Sequence, residues 1–535
     1  MSLRSRLAFA TLVPAAVLAF ALWPVSDARW EIHFDAAKAR EVGSFLESPA
    51  NRAQPGRPNV LLIVADDLGK YDTPLYGSAP VATPHIVSLA DDGVRFTEGY
   101  VTSPVCSPSR AALMTGRYQQ RFGFELLTHD RYPRNRLEWW VARTFFSTHG
   151  WNALAVPTAP AYADMQRQGI APSEATLAEV LRRQGYRTGI FGKWHLGFGE
   201  RMVPEARGFE MQYGFYDAFS LYDDPSDPNV ASVRQNYFAD RYQWWRGRSG
   251  GSAIRRNGAI VEEHEYLTTA IAREAAAWIE ANHDAPFFAY VPFNAPHAPL
   301  QAPRRYVEEL TSIENPDRRV YYGMIAALDD AIGQVLAALD RAGVRENTLV
   351  VFLSDNGAAS YTGIVDNAPL AGGKLTNFEG GVSIPFVMRW PARIASHRTF
   401  GRPVSALDVF ATIARATGAE LPTDRAYDGI DLMPFVRGER TDEPHEALFW
   451  RAAGHRAVRR GDEKLISDSK TGSRVLYDLA RDPFEAHDLA GDHPELADDL
   501  ERELERWEGE LVSPSWPPAM EYRFTIGGRN FVFPL

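Results

Sequence analysis

Cysteine is almost absent from this chain: one, Cys106, in 535 residues. That excludes an intrachain disulfide framework. A basic surplus is also lacking, since 57 lysines and arginines face 68 aspartates and glutamates, for a net charge of −11. Passive binding of a polyanion needs a basic surface, so no nucleic-acid partner is expected. An anionic small substrate stays compatible if one local site supplies the positive charge. Beyond the N-terminus no run is apolar enough to span a bilayer. No internal repeat and no low-complexity tract is present.

The N-terminus reads as an export signal. Arg4 and Arg6 precede an apolar run from Leu7 to Trp23, which Pro14 interrupts and Pro24 ends. No clean small-x-small cleavage site stands near Val25 to Arg29. Residues 1–28 are therefore expected to be a signal peptide or a retained N-terminal membrane anchor. The chain is expected to be exported, periplasmic or secreted. Residues 29–57 are polar and read as a linker or an arm.

From Asn59 onward buried strands alternate with amphipathic helices. NVLLIVADD (59–67) is a continuous apolar strand ending in two carboxylates. ATLAEVLRRQG (175–185) is a helix that stops at Gly185, and RTGIFGKWHLG is the next strand. PFFAYVPFNAPHAP (286–299) is strand then loop. The stretch 322–343 carries Met324, Ile325, Leu328, Ile332, Val335, Leu336 and Leu339 on one helical face. NTLVVFLSDNG and IPFVMRW add further strands. This alternation predicts an α/β fold with a large, mostly parallel central sheet flanked by helices. After about residue 440, short strands and a helix near 495–511 predict a smaller antiparallel sheet. The segment 220–260 reads as a surface insertion. The final aromatic, Pro-rich stretch has no assignment.

In open α/β sheets, ligands bind beyond the carboxyl ends of the strands. Asp66, Asp67, Lys193, His195, His297, Asp355 and Asn356 all fall there. They are thus candidates for one site. Lys193 and His195, two residues apart, would share a face if the strand continues through both. Cys106 opens CSPSRAALMTGRYQQRFG (106–123), where Pro108 suits the first turn of a helix. A group at that helix start faces free N–H groups and the positive end of the dipole, as a developing anion requires.

CSPSR with LMTGR resembles the modification signature of the type I, formylglycine-dependent sulfatase family, within the alkaline-phosphatase-like superfamily. The resemblance continues through VADDLG (64–69), GKWHLG (192–197), APHAP (295–299), SDNG (354–357) and GGKLTNFEGGVSIPF (372–386). It closes with LYDLARDPFEAHDLA (476–490). It implies a catalytic domain over 58–440 and a C-terminal subdomain over 441–535. It implies that a formylglycine-generating or equivalent maturation enzyme oxidises Cys106 to formylglycine, whose hydrated aldehyde attacks sulfur. Asp66, Asp67, Asp355 and Asn356, with the modified Cys106, match the family's metal positions. The four are all oxygen donors, which suits calcium, with magnesium as the alternative.

Lys193, His297 and Lys374 match its sulfate-binding positions. Arg110 matches the residue that orients the nucleophile. His297 is expected to protonate the leaving alcohol and His195 to act as the base. The glycines before Lys374 are expected to let the backbone approach a ligand closely. The implied reaction is hydrolysis of a sulfate ester, on a sulfated small molecule or oligosaccharide. A phosphonate monoester or phosphodiester hydrolase of the same superfamily is the alternative. Trp139, Trp140, Trp151, Trp244 and Trp245 are candidates for stacking on sugar rings, and Arg131, Arg134, Arg136, Arg241 and Arg246 for binding further anionic groups.

Overall fold

The strand Asn59–Ala65 is buried along its whole length, and it sits near the middle of a ten-stranded sheet. The structure is a computed structural model that describes residues 14–24, 29–50, 56–77, 79–129, 132–146, 150–154, 159–160, 162–235 and 238–535. The sheet comprises β1 (Asn59–Ala65), β2 (Val94–Phe96), β3 (Arg187–Lys193), β4 (Met211–Phe215), β5 (Arg255–Arg256), β6 (Ala259–Ile260), β7 (Phe287–Pro292), β8 (Thr348–Ser354), β9 (Phe386–Arg389) and β10 (Arg398–Phe400). Their spatial order is β6-β5-β4-β3-β7-β1-β8-β9-β2-β10. The middle run β4-β3-β7-β1-β8 is parallel. Antiparallel pairings of β5 with β4 and of β9 with β8 bound it.

Helices cover both faces of this sheet. The helices of the chain include α1 (Ala36–Glu47), α2 (Cys106–Thr115), α3 (Arg136–Phe146), α4 (Leu177–Arg183), α5 (Phe238–Arg246), α6 (Leu267–Asn282), α7 (Pro316–Arg341), α8 (Leu407–Thr417) and α9 (Pro494–Glu508), of which α3 and α9 pack away from this sheet. Val60, Leu62 and Val64 of β1 pack with Leu113, Leu181 and Phe410 on one side. Leu61 and Ile63 pack with Ile271, Ile279, Met324 and Leu328 on the other. Successive side chains of a strand point to opposite faces, so a strand buried on both must be apolar throughout. Each such leucine withdrawn from water stabilises the fold by about 2 kcal/mol.

Helix α7 begins six residues before the expected 322, because Asn315 caps it, accepting from the Asp317 and Arg318 N–H groups, and Pro316 opens its first turn. Among the described residues it is the one helix long and apolar enough to cross a membrane, and it is a core helix, 72% buried over that window. The segment preceding β1 holds α1, capped by Asp35, and buries Ile32 and Val42.

Residues 220–260 are more than a surface insertion. They supply β5 and β6 to the sheet, and Tyr222 is fully buried. The C-terminal region holds β11 (Leu448–Ala452), β12 (His455–Arg460), β13 (Glu463–Asp468) and β14 (Ser473–Asp478), an antiparallel meander. Leu500, Leu504 and Trp507 of α9 pack on its Val458, Leu465 and Leu476. The unassigned tail is a hairpin, β15 (Met520–Ile526) and β16 (Arg529–Pro534). It pairs with Trp151–Ala153, so it packs on the domain. Its turn is Gly527-Gly528, with φ of 57° and 75°, as a two-residue hairpin requires.

Buried cations tie the meander to the large sheet: Arg459 reaches Glu98 and Tyr100, and Lys464 reaches Glu379. Lys464 Nζ lies 2.8 Å from Glu379 Oε1 and 2.9 Å from Glu485 Oε1. Burial pushes Glu485 up to about 7, against the pull of Lys464 and with the neighbouring Glu379 charge adding to it. A raised folded-state pKa contributes stability that is full below the unfolded value of 4.5 and lost as pH rises through 7. Glu485→Gln should therefore gain thermal stability relative to the parent as pH rises from 4.5 to 8. Paired melting curves across that range check it, and a constant difference would refute the assignment.

Candidate active site

β1 and β8 are parallel neighbours in a register that sets Ala65 opposite Ser354. The residues that follow, Asp66 and Asp67 on one side and Asp355 and Asn356 on the other, therefore emerge together. All four are buried. Asp67 has φ of +64°, which turns the chain sharply after the strand, and its N–H donates to Asp355 Oδ1 at 3.2 Å. Asn356 Nδ2 donates to Asp67 Oδ1 at 2.7 Å. Ser354 Oγ steadies both loops, accepting from the Leu68 N–H and donating to the Asn356 carbonyl.

Helix α2 brings Cys106 to this cluster as its first residue, 2% exposed. The thiol donates to Asp66 Oδ1 at 3.3 Å, and Asp67 Oδ1 lies 3.8 Å from Sγ. Lys374 Nζ donates to Sγ at 3.1 Å and to Asp67 Oδ2 at 2.9 Å. Lys193 Nζ pairs with Asp66 Oδ2 at 2.7 Å. Arg110, one turn along α2, donates from Nε to Asp355 Oδ2 at 2.8 Å and from Nη1 to the Lys193 carbonyl at 3.3 Å. Its Nη2 lies 3.7 Å from Asp66 Oδ1.

His297 completes the ring of groups. Its Nδ1 donates to the Ala298 carbonyl at 2.5 Å, which leaves Nε2 facing Asp67 Oδ2 at 3.7 Å. Its loop is held by Tyr222, whose hydroxyl donates to the carbonyls of Asn294 and His297. His195 is also buried, but not as the strand pattern predicts. β3 ends at Lys193, and His195 has φ of +58°. The two side chains therefore do not share a strand face. His195 Nδ1 is buried with no hydrogen-bond partner. The glycines before Lys374 also have another reason. Gly372 takes φ of +73°, and a Cβ on Gly373 would meet Ser360 Oγ at 2.3 Å and Asn367 Nδ2 at 2.5 Å. The crowding is within the fold rather than toward a ligand.

Three buried carboxylates meet three buried cations here, so the fixed charges cancel. Burial pushes Asp66 and Asp67 up, but Lys193 beside Asp66 and Lys374 beside Asp67 bring both below the usual carboxylate range. Asp355 stays raised, by burial and by the charge on Asp66. Ionising Asp355 thus carries a cost, and Asn356 Oδ1 is buried without a partner. A divalent cation relieves both, and an all-oxygen donor set fits calcium or magnesium. Burial also pushes the Cys106 thiol well up, with Asp355 and Asp66 opposing the pull of the two lysines. A thiol held protonated is a poor nucleophile. Burial, Lys193 and Arg110 hold His195 well below its usual range, and burial with Lys374 lowers His297.

Sequence reasoning did not find Tyr222, Ser354 or the partners of Trp151 in an aromatic cluster, Tyr361 and Tyr522. Trp151, Tyr361 and Tyr522 pack together with ring centroids 5.2 to 5.9 Å apart. They join a small apolar cluster with Val105 and Leu375, the neighbours in sequence of Cys106 and Lys374. Of the five tryptophans proposed for stacking, Trp151 is the one in that cluster. Trp140 and Trp245 point to solvent, and Trp244 sits under the Arg234 guanidinium. Arg131 lies outside the described residues.

The carboxylate-and-cation site lies at the carboxyl edge of a doubly covered α/β sheet, where such sheets bind ligands, and the fold is the alkaline-phosphatase-like one of the sulfatases. The chain belongs to the sulfatase family: the Sulfatase family matches residues 58–419, and the C-terminal region of N-sulphoglucosamine sulphohydrolase matches 373–510. It is 32% identical to mouse (Mus musculus) N-acetylgalactosamine-6-sulfatase over 77% of this chain and 72% of that protein. It is 30% identical to rat (Rattus norvegicus) steryl-sulfatase over 82% and 86%. Among solved structures, Ps i-CgsB in complex with k-i-k-neocarrahexaose matches with a TM-score of 0.70 at 32% identity, covering 86% of this chain and 94% of that one. The phosphonate monoester hydrolase of Agrobacterium radiobacter shares the fold alone, with a TM-score of 0.54 at 23% identity, covering 89% and 99%.

Arg110 is the cation in direct contact with Asp355, and truncating it leaves that buried carboxylate without its ion pair. Arg110→Ala should lower stability by about 3–5 kcal/mol. Arg110→Lys should recover only part, because one ammonium cannot reach both Asp355 and the Lys193 carbonyl. Urea unfolding midpoints test this, and an unchanged midpoint for the alanine variant would contradict it.

Proposed function

We propose that this sulfatase removes sulfate from a sulfated carbohydrate, with Cys106 converted by a maturation enzyme to an aldehyde residue and calcium held by Asp66, Asp67, Asp355 and Asn356. The observation that carries the proposal is the placing of Cys106. Its Sγ lies within 3.3 Å of Asp66 Oδ1 and of Lys374 Nζ, at a helix start, and burial pushes the thiol well up. The position suits a precursor. Oxidation to an aldehyde supplies a hydrated carbon with two hydroxyls, and calcium supplies positive charge toward the sulfate oxygens.

The chain's own residues do the rest. Lys193 and Lys374 are the ammoniums within reach of an anion at Cys106, and they balance charge on the sulfate group. Arg110 fixes Asp355 and orients the nucleophile through the head of α2. His297, with Nδ1–H committed to the Ala298 carbonyl, presents Nε2 to the leaving alcohol, and it donates there as the imidazolium that the negative charge of a bound sulfate ester favours. His195, neutral and with Nδ1 unpartnered, is the base that accepts a hydroxyl proton. Two observations favour a sugar. The relatives include a protein solved with a carrageenan-type hexaose and one named for an N-acetylgalactosamine sulfate. The Trp151, Tyr361 and Tyr522 rings, all half-buried, stand beside the residues flanking Cys106 and Lys374. Their faces suit the apolar side of a pyranose. Export, with the N-terminal segment as a cleaved signal or an anchor, belongs to the same reading.

Turnover of the matured protein on sulfated oligosaccharides, a steryl sulfate, an aryl sulfate, a phosphodiester and a phosphonate monoester tests it. The highest kcat/KM is expected on an oligosaccharide sulfate. It should be lost on chelation and regained with calcium. A phosphodiester or phosphonate rate above every sulfate rate would overturn the proposal, and preference for the steryl sulfate would overturn its carbohydrate part.

A further inference from the structure

Thirteen large hydrophobic side chains are exposed among the described residues. Nine of them lie in two short segments: Val17, Leu18, Phe20, Leu22 and Trp23, and then Leu137, Trp140, Val141 and Phe145 of α3. The two segments are joined. The Arg136 N–H donates to the Trp23 carbonyl at 3.1 Å, Pro24 bridges to Asn135, and the Arg136 guanidinium lies 4.3 Å from the centre of the Phe20 ring. A tenth, Trp245, is 78% exposed on α5, which packs against α3.

Helix α3 is amphipathic in the wrong direction for a core helix. Positions 137, 140, 141 and 145 fall on one face, the spacing that normally faces the interior. Here Trp140 is 58% and Phe145 55% exposed, while Ala142, beside that face, is buried. A contiguous apolar patch of this kind marks an interaction surface. We infer that α3 lies in the plane of an anionic lipid bilayer, as a second membrane contact beside the N-terminal apolar run. This inference does not rest on the catalytic reading.

Length, charge and continuity select lipid. Eleven residues of helix extend about 17 Å, too short to cross a hydrocarbon core of about 30 Å, so the helix lies flat. Arg134, Arg136 and Arg143 border the face against the single Glu138, within a chain of net charge −11. Anionic headgroups attract such a border, whereas a second copy would oppose it with the same charges. In sequence, the exposed residues Val17, Leu18, Phe20, Leu22 and Trp23 close an apolar run that starts at Leu7 behind Arg4 and Arg6. Trp23 and Trp140 are of the type that settles at headgroup depth. The inference also fixes which side of the enzyme meets the membrane. Helix α3 packs on the strand Trp151–Ala153, and Trp151 belongs to the aromatic cluster at the rim of the active site.

A polarity-sensitive fluorophore on Val141→Cys in the full chain tests this, with Gly491→Cys, on an exposed loop, as the control site. The unsubstituted chain measures background labelling at the buried Cys106. Vesicles of equal parts phosphatidylglycerol and phosphatidylcholine should brighten the probe at 141 and not at 491. Lipid spin-labelled near the headgroup should quench it. Replacing Leu137, Trp140 and Phe145 together by serine should weaken vesicle partitioning at least about tenfold, with turnover of a soluble substrate unchanged. A chain that floats with vesicles while the probe at 141 stays in water would overturn the inference, leaving the N-terminal run as sole anchor. So would a probe response that grows with protein concentration without lipid, which would mark a contact between two copies. A chain that does not bind vesicles overturns it as well.

Discussion

Three carboxylates buried at the end of two adjacent strands are the constraint on which the rest of the site depends. Asp66 and Asp67 leave β1 as Asp355 leaves β8, and the register of those strands leaves them no route apart. Like charges at that spacing, out of water, are tolerated only if cations are brought to them. The fold answers with Lys193 from the end of β3, Arg110 from the first turns of α2, and Lys374 from the loop before β9. The same arrangement fixes Cys106. The helix that delivers Arg110 to Asp355 must start beside Asp66, and its first residue is the cysteine.

Much of this was legible in the sequence, for a physical reason. A strand buried on both faces must be apolar throughout, so NVLLIVA and TLVVFLS announce themselves. A carboxylate directly after such a strand has few bland explanations. The motifs therefore pick out residues that the fold brings together at one edge of the sheet. They did not give local backbone turns. His195 leaves the strand through a left-handed conformation that Lys193-Trp194-His195 does not advertise. The glycines before Lys374 answer to Ser360 and Asn367, which are tertiary neighbours. Tyr222 holds the His297 loop from 75 residues away in sequence, which no local pattern reports. The terminal hairpin had a usable signal in its Gly-Gly pair between alternating aromatics, and the start of α7 had one in Asn315-Pro316.

The rim and the membrane face follow from the same chain segments. The terminal hairpin pairs with Trp151–Ala153 and carries Tyr522 to the mouth of the site. Helix α3 leads to that strand and turns its apolar residues outward. The proposed sugar contact and the proposed membrane face thus share one short stretch of chain, while the charged centre is built from the sheet.

The central claim is that Cys106 is a precursor and not a thiol nucleophile. The most direct measurement is the mass of the peptide containing Cys106 from protein made in its own host, with turnover recorded on the same preparation. The account predicts that the active fraction has lost the sulfur of Cys106 and carries an aldehyde that a hydroxylamine reagent captures. A fully active preparation in which every copy of that peptide retains an unmodified thiol would contradict it.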